Sequence, residues 1–388
     1  MSAYLKHFFS AEKKYGSKDR KQITSLCYNY YRLGKTLQDI SVEDRIILST
    51  FLCENTSNEF IKFHKPAWNE KITVSTQEKL LIINLDYRQG GYQLLIKDIF
   101  PWGDELGDGV EHEPFAESFL HQPDLFLRIR PGKEVSVKNK LNEAGIVFKI
   151  LDEDCIALSN ATKLDAVLES DKEVVVQDYN SQQVLNFLRH HVQQPSPKEE
   201  QNPLGRLSCW DCCAASGGKS ILVYDILEGR VELTVSDIRE PMLANLKKRF
   251  SSAGIKNHHS FIADLSIPGS ELPTKNYQLI ISDAPCTGSG TWSRTPERLF
   301  YFEPGMINAF AERQKKIVSN ALAHLQPGGL FFYITCSVFK KENEEIVRFI
   351  KEQFHLQLLQ VELLRGYDKR ADNMFTAVFI KQDDGRSQ

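Results

Sequence analysis

YQLIISDAPCTGSG, residues 277 to 290, decides how the chain is read. Its first part, YQLIIS (277–282), is a short β-branched and aromatic run bounded by turn residues. Such runs mark parallel strands covered on both faces. A second stretch repeats the arrangement, with GLFFYI (329–334) leading into TCS (335–337). Ligands in open α/β sheets bind at the carboxyl ends of the strands. Each strand here ends on a cysteine, Cys286 and Cys336, 50 positions apart. Two thiols are therefore expected to face one pocket.

Around these stretches, from residue 206 onward, strand-like and helix-like segments alternate. They run LSCWDC, LVYDIL, VELTVSD, PMLANLKKRF, HSFIAD, LIISDAP, AFAERQKKIVSNALAHL, LFFYITC, ENEEIVRFIKEQF and FTAVFIK. Regular βα alternation predicts an α/β fold with a doubly wound parallel sheet. The first strand enters WDCCAASGGKSIL (210–222), where the Ala-Ala-Ser-Gly-Gly run lets the backbone turn tightly and approach a ligand. Two readings compete. Gly218-Lys219-Ser220 matches the end of a phosphate loop, but the glycine that motif needs first falls at Cys213. Alternatively, the turn holds a nucleoside. Asp237 closes VELTVSD 20 residues after Gly217, the spacing of a carboxylate that accepts from ribose hydroxyls. Asp264 closes HSFIAD and is a candidate for an adenine edge.

Upstream, three amphipathic patterns predict helices: KQITSLCYNYYRLG (21–34), VEDRIILSTFLCE (42–54, with Ser41 as N-cap) and TQEKLLIINLD (76–86). DIFPWGDELGDGVEHEPFAES (98–118), rich in acid, Gly and Pro, reads as a long loop or linker. LFLRIRPG (125–132), SVKNKLNEAGI (136–146) and FKILDEDCIALS (148–159) read as strand, helix and further strand of a small α+β module. EVVVQDYNSQQVLNFL (173–188) reads as strand, turn and helix. QQPSPKEEQNPLG (193–205) reads as a polar surface connection. The expected division is a helical accessory region over 1–115, the α+β module over 116–172 and the sheet domain over 173–388.

Composition restricts the function classes. The chain has 388 residues, 41% of them apolar and 26% charged, which is the profile of a globular protein with a substantial core. No run approaches a membrane span, and the N-terminus lacks the apolar segment of a secretory signal, so a cytoplasmic location is expected. The eight cysteines form no disulfide-scaffold pattern. Cys209 and Cys212 have C-x-x-C spacing but no second pair follows, so no metal is expected. The net charge of −3 argues against a generic nucleic-acid binder. The charge is uneven, with 8 Lys/Arg against 3 Asp/Glu over residues 1–40 and 7 against 14 over residues 41–120. A basic face at the N-terminus and a solvated helix surface both fit.

A thiolate adds readily to electron-poor carbon. Carbon 5 of cytosine is too weak a nucleophile to take a methyl group directly. A thiolate added at carbon 6 makes carbon 5 enamine-like, and a carboxyl group at N3 stabilises the charge that builds there. Cys336, Cys286, Asp283, Lys219 and a nucleoside pocket supply those parts. The inventory alone does not select cytosine.

Residues 174 to 381 resemble the catalytic half of the RsmB/NOP/SUN family of RNA cytosine-5 methyltransferases. The matching stretches are VVVQDYNSQ (174–182), DCCAASGGKS (211–220), Asp237, Asp264, DAPCTGSGT with Arg294 and PE (296–297), QPGG (326–329), TCS followed by ENE (342–344), and FTAVFIK (375–381). LFLRIRPG and the helix after it are similar to the family's small RNA-recognition-like module, and the N-terminal helices more weakly resemble a NusB-like extension.

The resemblance implies a Rossmann-like methyltransferase sheet and S-adenosylmethionine as cofactor. Cys213, Ala214, Ala215, Ser216, Gly217, Gly218, Lys219, Asp237, Asp264 and Asp283 would hold it. Cys336 matches the family's nucleophile and Cys286 the cysteine that helps release product. In the DNA enzymes the cysteine after proline attacks instead, so Cys286 is the rival nucleophile. The implied substrate is RNA, ribosomal or transfer, with no membrane partner. Arg128, Arg130, Lys133 and Arg294 are candidates for phosphate contacts, and Trp292 for stacking on a base or for core packing. Two departures stand out: Ser216 where the family usually has proline, and Met242 where it usually has arginine. Ser216 and the acidic linker keep a non-catalytic RNA-binding ribosome-assembly factor as the alternative.

Overall fold

A computed structural model describes residues 1–87, 93–193, 206–267, 272 and 274–382. Of the segment expected as a polar surface connection, 194–205 lies outside the described residues. The chain forms two compact units. The first comprises Met1–Leu106, Val110–Gln122 and Thr291–Pro304; the second comprises Gly107–Gly109, Pro123–Gly290 and Gly305–Gln388.

The first unit is helical. Its helices include Ser17–Arg32, Val42–Cys53 and Thr76–Asp86, which cover the three amphipathic patterns. Ser41 caps the second of these, its hydroxyl accepting from the Asp44 N–H. Ser75 and Glu78 form a capping box on the third. Buried arginines cross-link the unit: Arg32 donates to the carbonyls of Phe119 (2.6 Å), His121 (3.1 Å) and Ser293 (3.1 Å).

The acidic stretch 98–118 is not a plain loop. It contains 3-10 turns at Ile96–Ile99 and Gly103–Glu105 and a helix at His112–Ser118. Phe100, Phe115 and Phe119 are buried and pack ring to ring. Those aromatic anchors outweigh the Gly, Pro and acid content on which the loop expectation rested. Trp292, in the same unit, is also a core residue, against Trp102 and Phe302.

The second unit holds two sheets. The smaller one has strands β1 (Leu125–Ile129), β2 (Lys149–Asp152), β3 (Cys155–Leu158) and β4 (Val174–Val176). They are antiparallel in the order β2-β3-β1-β4, and the helix Glu134–Glu143 supplies Val137 and Leu141 to their core.

The larger sheet has seven strands: β5 (Leu207–Asp211), β6 (Val231–Asp237), β7 (His258–Ile262), β8 (Tyr277–Asp283), β9 (Leu325–Thr335), β10 (Gln357–Leu364) and β11 (Met374–Ile380). Their order is β10-β11-β9-β8-β5-β6-β7. Strands β5 to β9 are parallel, and β5 and β8 are nearly sealed from solvent, as their apolar runs require. The sheet is not parallel throughout, since β11 runs antiparallel to both neighbours. Strand β10, an edge strand with alternating burial, was not singled out by the sequence. The chain leaves β5 toward β6 on one side and β8 toward β9 on the other. The switch between β5 and β8 opens the crevice where such sheets bind ligands.

Candidate active site

Every residue expected to hold the cofactor or the reacting base lies at or just beyond the carboxyl end of a strand, in the turn after β5 or in the first turn of the helix that follows it. That turn is pinned from several sides. The Cys212 N–H donates to the Ile281 carbonyl (2.9 Å), the Ala214 N–H to the Ser236 carbonyl (2.9 Å) and the Ala215 N–H to Asp237 Oδ2 (2.9 Å). Ala215 and Gly217 are left-handed, with φ of 47° and 84°. A Cβ on Gly217 would meet Leu246 and Phe250 side chains at 2.9 Å, so the turn is pressed against the helix Glu240–Ala253 in a way only glycine permits. The helix Gly218–Ile226 then begins and carries Lys219 and Ser220.

Ser216 stands where the resembled family has proline, but the turn is not loose there. Arg249 Nη1 donates to both the Ser216 carbonyl and its hydroxyl, each at 3.0 Å. The same guanidinium grips Asp171, between β3 and β4 of the small sheet, through Nε (2.9 Å) and Nη2 (2.7 Å). One arginine thus ties the turn after β5 to the small module.

The carboxylates differ in environment. Asp237 is buried and accepts from the Arg239 backbone N–H (2.9 Å) and from its side chain at 2.9 and 3.0 Å. Burial alone would raise its pKa; the Arg239 bonds and charge reverse this and leave it below the ordinary value. Asp264 is not the last residue of β7, which ends at Ile262, but lies in the following loop. It accepts from the Ser266 hydroxyl (2.6 Å) and N–H (2.9 Å), which lowers its pKa. Asp283 ends β8 and pairs with Lys219 at 2.7 Å. Burial disfavours the Lys219 charge, but Asp283 chiefly, with Cys336 and Asp211 adding, more than offsets it, so its pKa lies above the usual lysine value.

The two thiols converge. Cys286 Sγ and Cys336 Sγ are 3.4 Å apart. Cys286 follows β8 in the Pro285 loop, and Cys336 follows Thr335, the last residue of β9. The backbone holds these loops together: the Gly290 N–H donates to the Cys336 carbonyl (2.8 Å). Hydrogen bonding to Cys336 and burial push the Cys286 thiol well up, and the charges of Cys336 and Glu342 add to this. Cys213 is also raised, by its bond to Cys212 and by burial.

Several site residues were not given roles from sequence. Glu342, fully buried, accepts from the Thr287 N–H and hydroxyl, the Ser337 hydroxyl and Gln314. Asp211, at the end of β5, accepts from the Ser220 hydroxyl at 2.6 Å. Its other oxygen is buried with no hydrogen-bond partner. Asp211 directly follows the apolar run of β5, a signal periodicity alone does not flag, whereas Glu342 follows Lys340 and Lys341 and was marked only by the ENE stretch (342–344).

Two expected phosphate contacts are excluded. Arg128 and Arg130 are turned inward, pairing with Asp225 of the helix Gly218–Ile226 at 2.5 and 2.7 Å. Arg128 also donates to Gln177, and Arg130 to the carbonyls of Asp171 and Ala253. These arginines dock the small module on the large sheet and are not on offer to a backbone phosphate. Among the described residues, no group of three or more His, Cys, Asp or Glu side chains is placed to hold a metal, and no helix is long and apolar enough to cross a membrane.

Comparison with known proteins agrees with this fold. Residues 196–380 match the family model for 16S rRNA methyltransferase RsmB/F. Ribosomal RNA small subunit methyltransferase B from Enterobacter sp. (strain 638) is 30% identical over 222 residues, covering 54% of this chain and 47% of that protein. The chain spans about half, or less, of the length of the curated relatives it matches. The crystal structure of PH0851 superposes with a TM-score of 0.67 at 18% identity, covering 97% of this chain and 93% of that one. NSun6 from Pyrococcus horikoshii with SFG gives 0.52 at 16% identity, covering 70% and 96%. Through its seven-stranded half, which carries both cysteine motifs, the chain matches the RsmB/F family of methyltransferases.

Proposed function

We propose that the protein transfers a methyl group from S-adenosylmethionine to carbon 5 of cytosine in RNA, ribosomal or transfer. The observation that carries this reading is the 3.4 Å approach of Cys286 and Cys336 beside the Lys219–Asp283 pair.

The residues fit the cofactor. The left-handed turn at Ala215 and Gly217 brings main chain close to the crevice. Asp237, Asp264 and Asp283 stand at or beyond the ends of β6, β7 and β8. Cys213 to Lys219 would line the cofactor, with Asp237 toward the ribose and Asp264 toward the adenine. Bound there, it supplies an electrophilic methyl group.

Cys336 is the nucleophile in this reading. Its sulfur adds to carbon 6 of the flipped cytosine, and the Lys219–Asp283 pair faces N3, where charge builds. Carbon 5, now nucleophilic, takes the methyl group. A base then takes the carbon 5 proton, the C–H electron pair re-forms the carbon 5–carbon 6 double bond, and Cys336 leaves carbon 6 as a thiolate. Cys286, its thiol pushed up by its bond to Cys336 and by burial, assists that release.

The small module, assigned to 116–172 with β4 as its shared edge, would present the RNA to the methyltransferase domain (173–388), and 1–115 would be a helical accessory region. Lys133, exposed beside that module, remains a candidate phosphate contact. To test the reading, purified protein is incubated with labelled S-adenosylmethionine and total RNA, and the nucleosides are analysed. Label in 5-methylcytosine is expected; its absence from every RNA pool would overturn the proposal.

A further inference from the structure

One carboxylate touches both cysteine loops. Glu342 is fully buried. Its Oε1 accepts from the Thr287 N–H (2.9 Å) and Gln314 Nε2 (3.1 Å), and its Oε2 from the Thr287 hydroxyl (2.6 Å) and the Ser337 hydroxyl (2.5 Å). Thr287 follows Cys286 in the chain, and Ser337 follows Cys336. Gln314 extends the grip, since its Nε2 also donates to the carbonyl of Pro285, the residue before Cys286 (3.1 Å). The glutamate backbone is held in turn, its carbonyl accepting from the Tyr333 hydroxyl at 2.6 Å. Asn343, the next residue, accepts from the Thr335 hydroxyl (2.6 Å) and donates to the Ser337 carbonyl (2.9 Å), bracketing Cys336 from both sides.

We infer that Glu342 is the positioning residue that sets the register of Cys286 against Cys336. The inference rests on the proposed reaction for its purpose but not for its geometry. A buried carboxylate is costly unless its oxygens are filled, and here both are, by donors from three segments. The Gly290-to-Cys336 backbone bond and the bond from the Val338 N–H to Ser289 Oγ (2.9 Å) hold the loops side by side. They do not reach the residues adjoining Cys286. The glutamate does, and with the Thr287–Ser337 hydroxyl contact (3.4 Å) beside it, it ties the residue after the first thiol to the residue after the second. It is not a catalytic residue, because the described contacts of its carboxylate are all to protein donors. It acts through the two sulfurs.

The separation of the sulfurs can be read without RNA or cofactor. Diamide takes two electrons and two protons from a thiol pair, its N=N bond being reduced to a hydrazine as the S–S bond forms. The rate of Cys286–Cys336 disulfide formation, followed by mass spectrometry, is therefore a ruler. Wild-type protein should form this disulfide rapidly. Glu342→Ala should slow it at least about tenfold and lower kcat on the order of 100-fold, with little change in KM for S-adenosylmethionine, because misplacing reacting groups by about 1 Å costs that much. Glu342→Gln keeps the shape and an acceptor for the Thr287 N–H, and should restore most of the disulfide rate. Should Glu342→Ala not fold, Thr287→Val combined with Ser337→Ala removes both hydroxyl arms and should slow the disulfide in the same direction. Folded Glu342→Ala, or the folded double variant in its place, forming the disulfide and turning over within about twofold of wild type would overturn the inference. A wild-type protein that methylates no RNA yet shows the expected ruler response would sink the proposed function and leave the positioning role standing.

Discussion

Cys286 Sγ lies 3.4 Å from Cys336 Sγ, although 50 residues separate them. Adjacent parallel strands, β8 and β9, bring them together from their carboxyl ends. At that distance both sulfurs can meet one ring, and the hydrogen bond to Cys336 and burial push the Cys286 thiol well up. Replacing Cys286 with alanine should therefore let the covalent protein–RNA bond form but not resolve, giving an adduct that survives denaturing electrophoresis. Cys336→Ala should give no adduct and lose turnover on the order of 1000-fold or more. The reverse pattern would exchange their roles.

Gly290 is the closest crossing of the site. A Cβ there would meet the Asn373 carbonyl oxygen at 2.4 Å and the Cys336 carbonyl oxygen at 2.9 Å. Both are backbone atoms and cannot swing aside. Gly290→Ala should cost about 1–3 kcal/mol, read by urea denaturation, as overpacking does. Because the displaced atom belongs to Cys336, methyl transfer should fall by more than the unfolded fraction explains. Unchanged activity in the folded variant would mean that the Cys336 loop tolerates the shift.

Arg249 makes a similar link at the turn after β5, bonding both the Ser216 hydroxyl and the Asp171 carboxylate. Ser216→Ala removes one hydrogen bond, worth about 1 kcal/mol, and should weaken cofactor binding about fivefold in calorimetry. Arg249→Met leaves Asp171, 12% exposed, without its partner and should cost about 3 kcal/mol of stability. If Ser216→Ala binds the cofactor as well as wild type, the turn is held without that hydroxyl, by its backbone bonds, Gly217, Asp237 and the Arg249 bond to the Ser216 carbonyl.

The residues that announced the fold did so by local rules. VELTVSD, YQLIIS and GLFFYI are short, apolar and closed by turn residues, so strands β6, β8 and β9 were legible, as were the capped helices near Ser41 and Thr76. The cysteines were legible because chemistry singles out thiols at strand ends. What stayed hidden depends on long-range packing. Glu342 sits only six residues past Cys336, but its partner Thr287 is 55 residues away, and no period or composition encodes that bond. Arg128 and Arg130 looked like surface charge because Asp225, almost 100 positions on, is invisible from their neighbourhood. The 98–118 stretch misled for the same reason: Phe100, Phe115 and Phe119 find each other only in the fold.

Asp211 gives the site a pH-dependent stability. Its pKa is pushed up from 3.8 to about 7. Burial is the main cause and the Asp283 charge adds to it, while the Ser220 hydroxyl and Lys219 pull the other way. A carboxyl group raised in the folded state binds its proton more tightly there than in the unfolded chain. Its stabilising contribution is complete below the unfolded value and is lost as pH rises through the folded one. The window is therefore pH 4 to about 7, and a shift of about three units corresponds to about 4 kcal/mol. Asp211→Asn cannot ionise, and its amide oxygen still accepts from Ser220. Measured by denaturant unfolding, the stability of wild type relative to Asp211→Asn should fall by about 4 kcal/mol between pH 4 and pH 8. A difference that stays level across that range would show that Asp211 remains ionised beside Lys219, with its unpartnered oxygen satisfied in some other way.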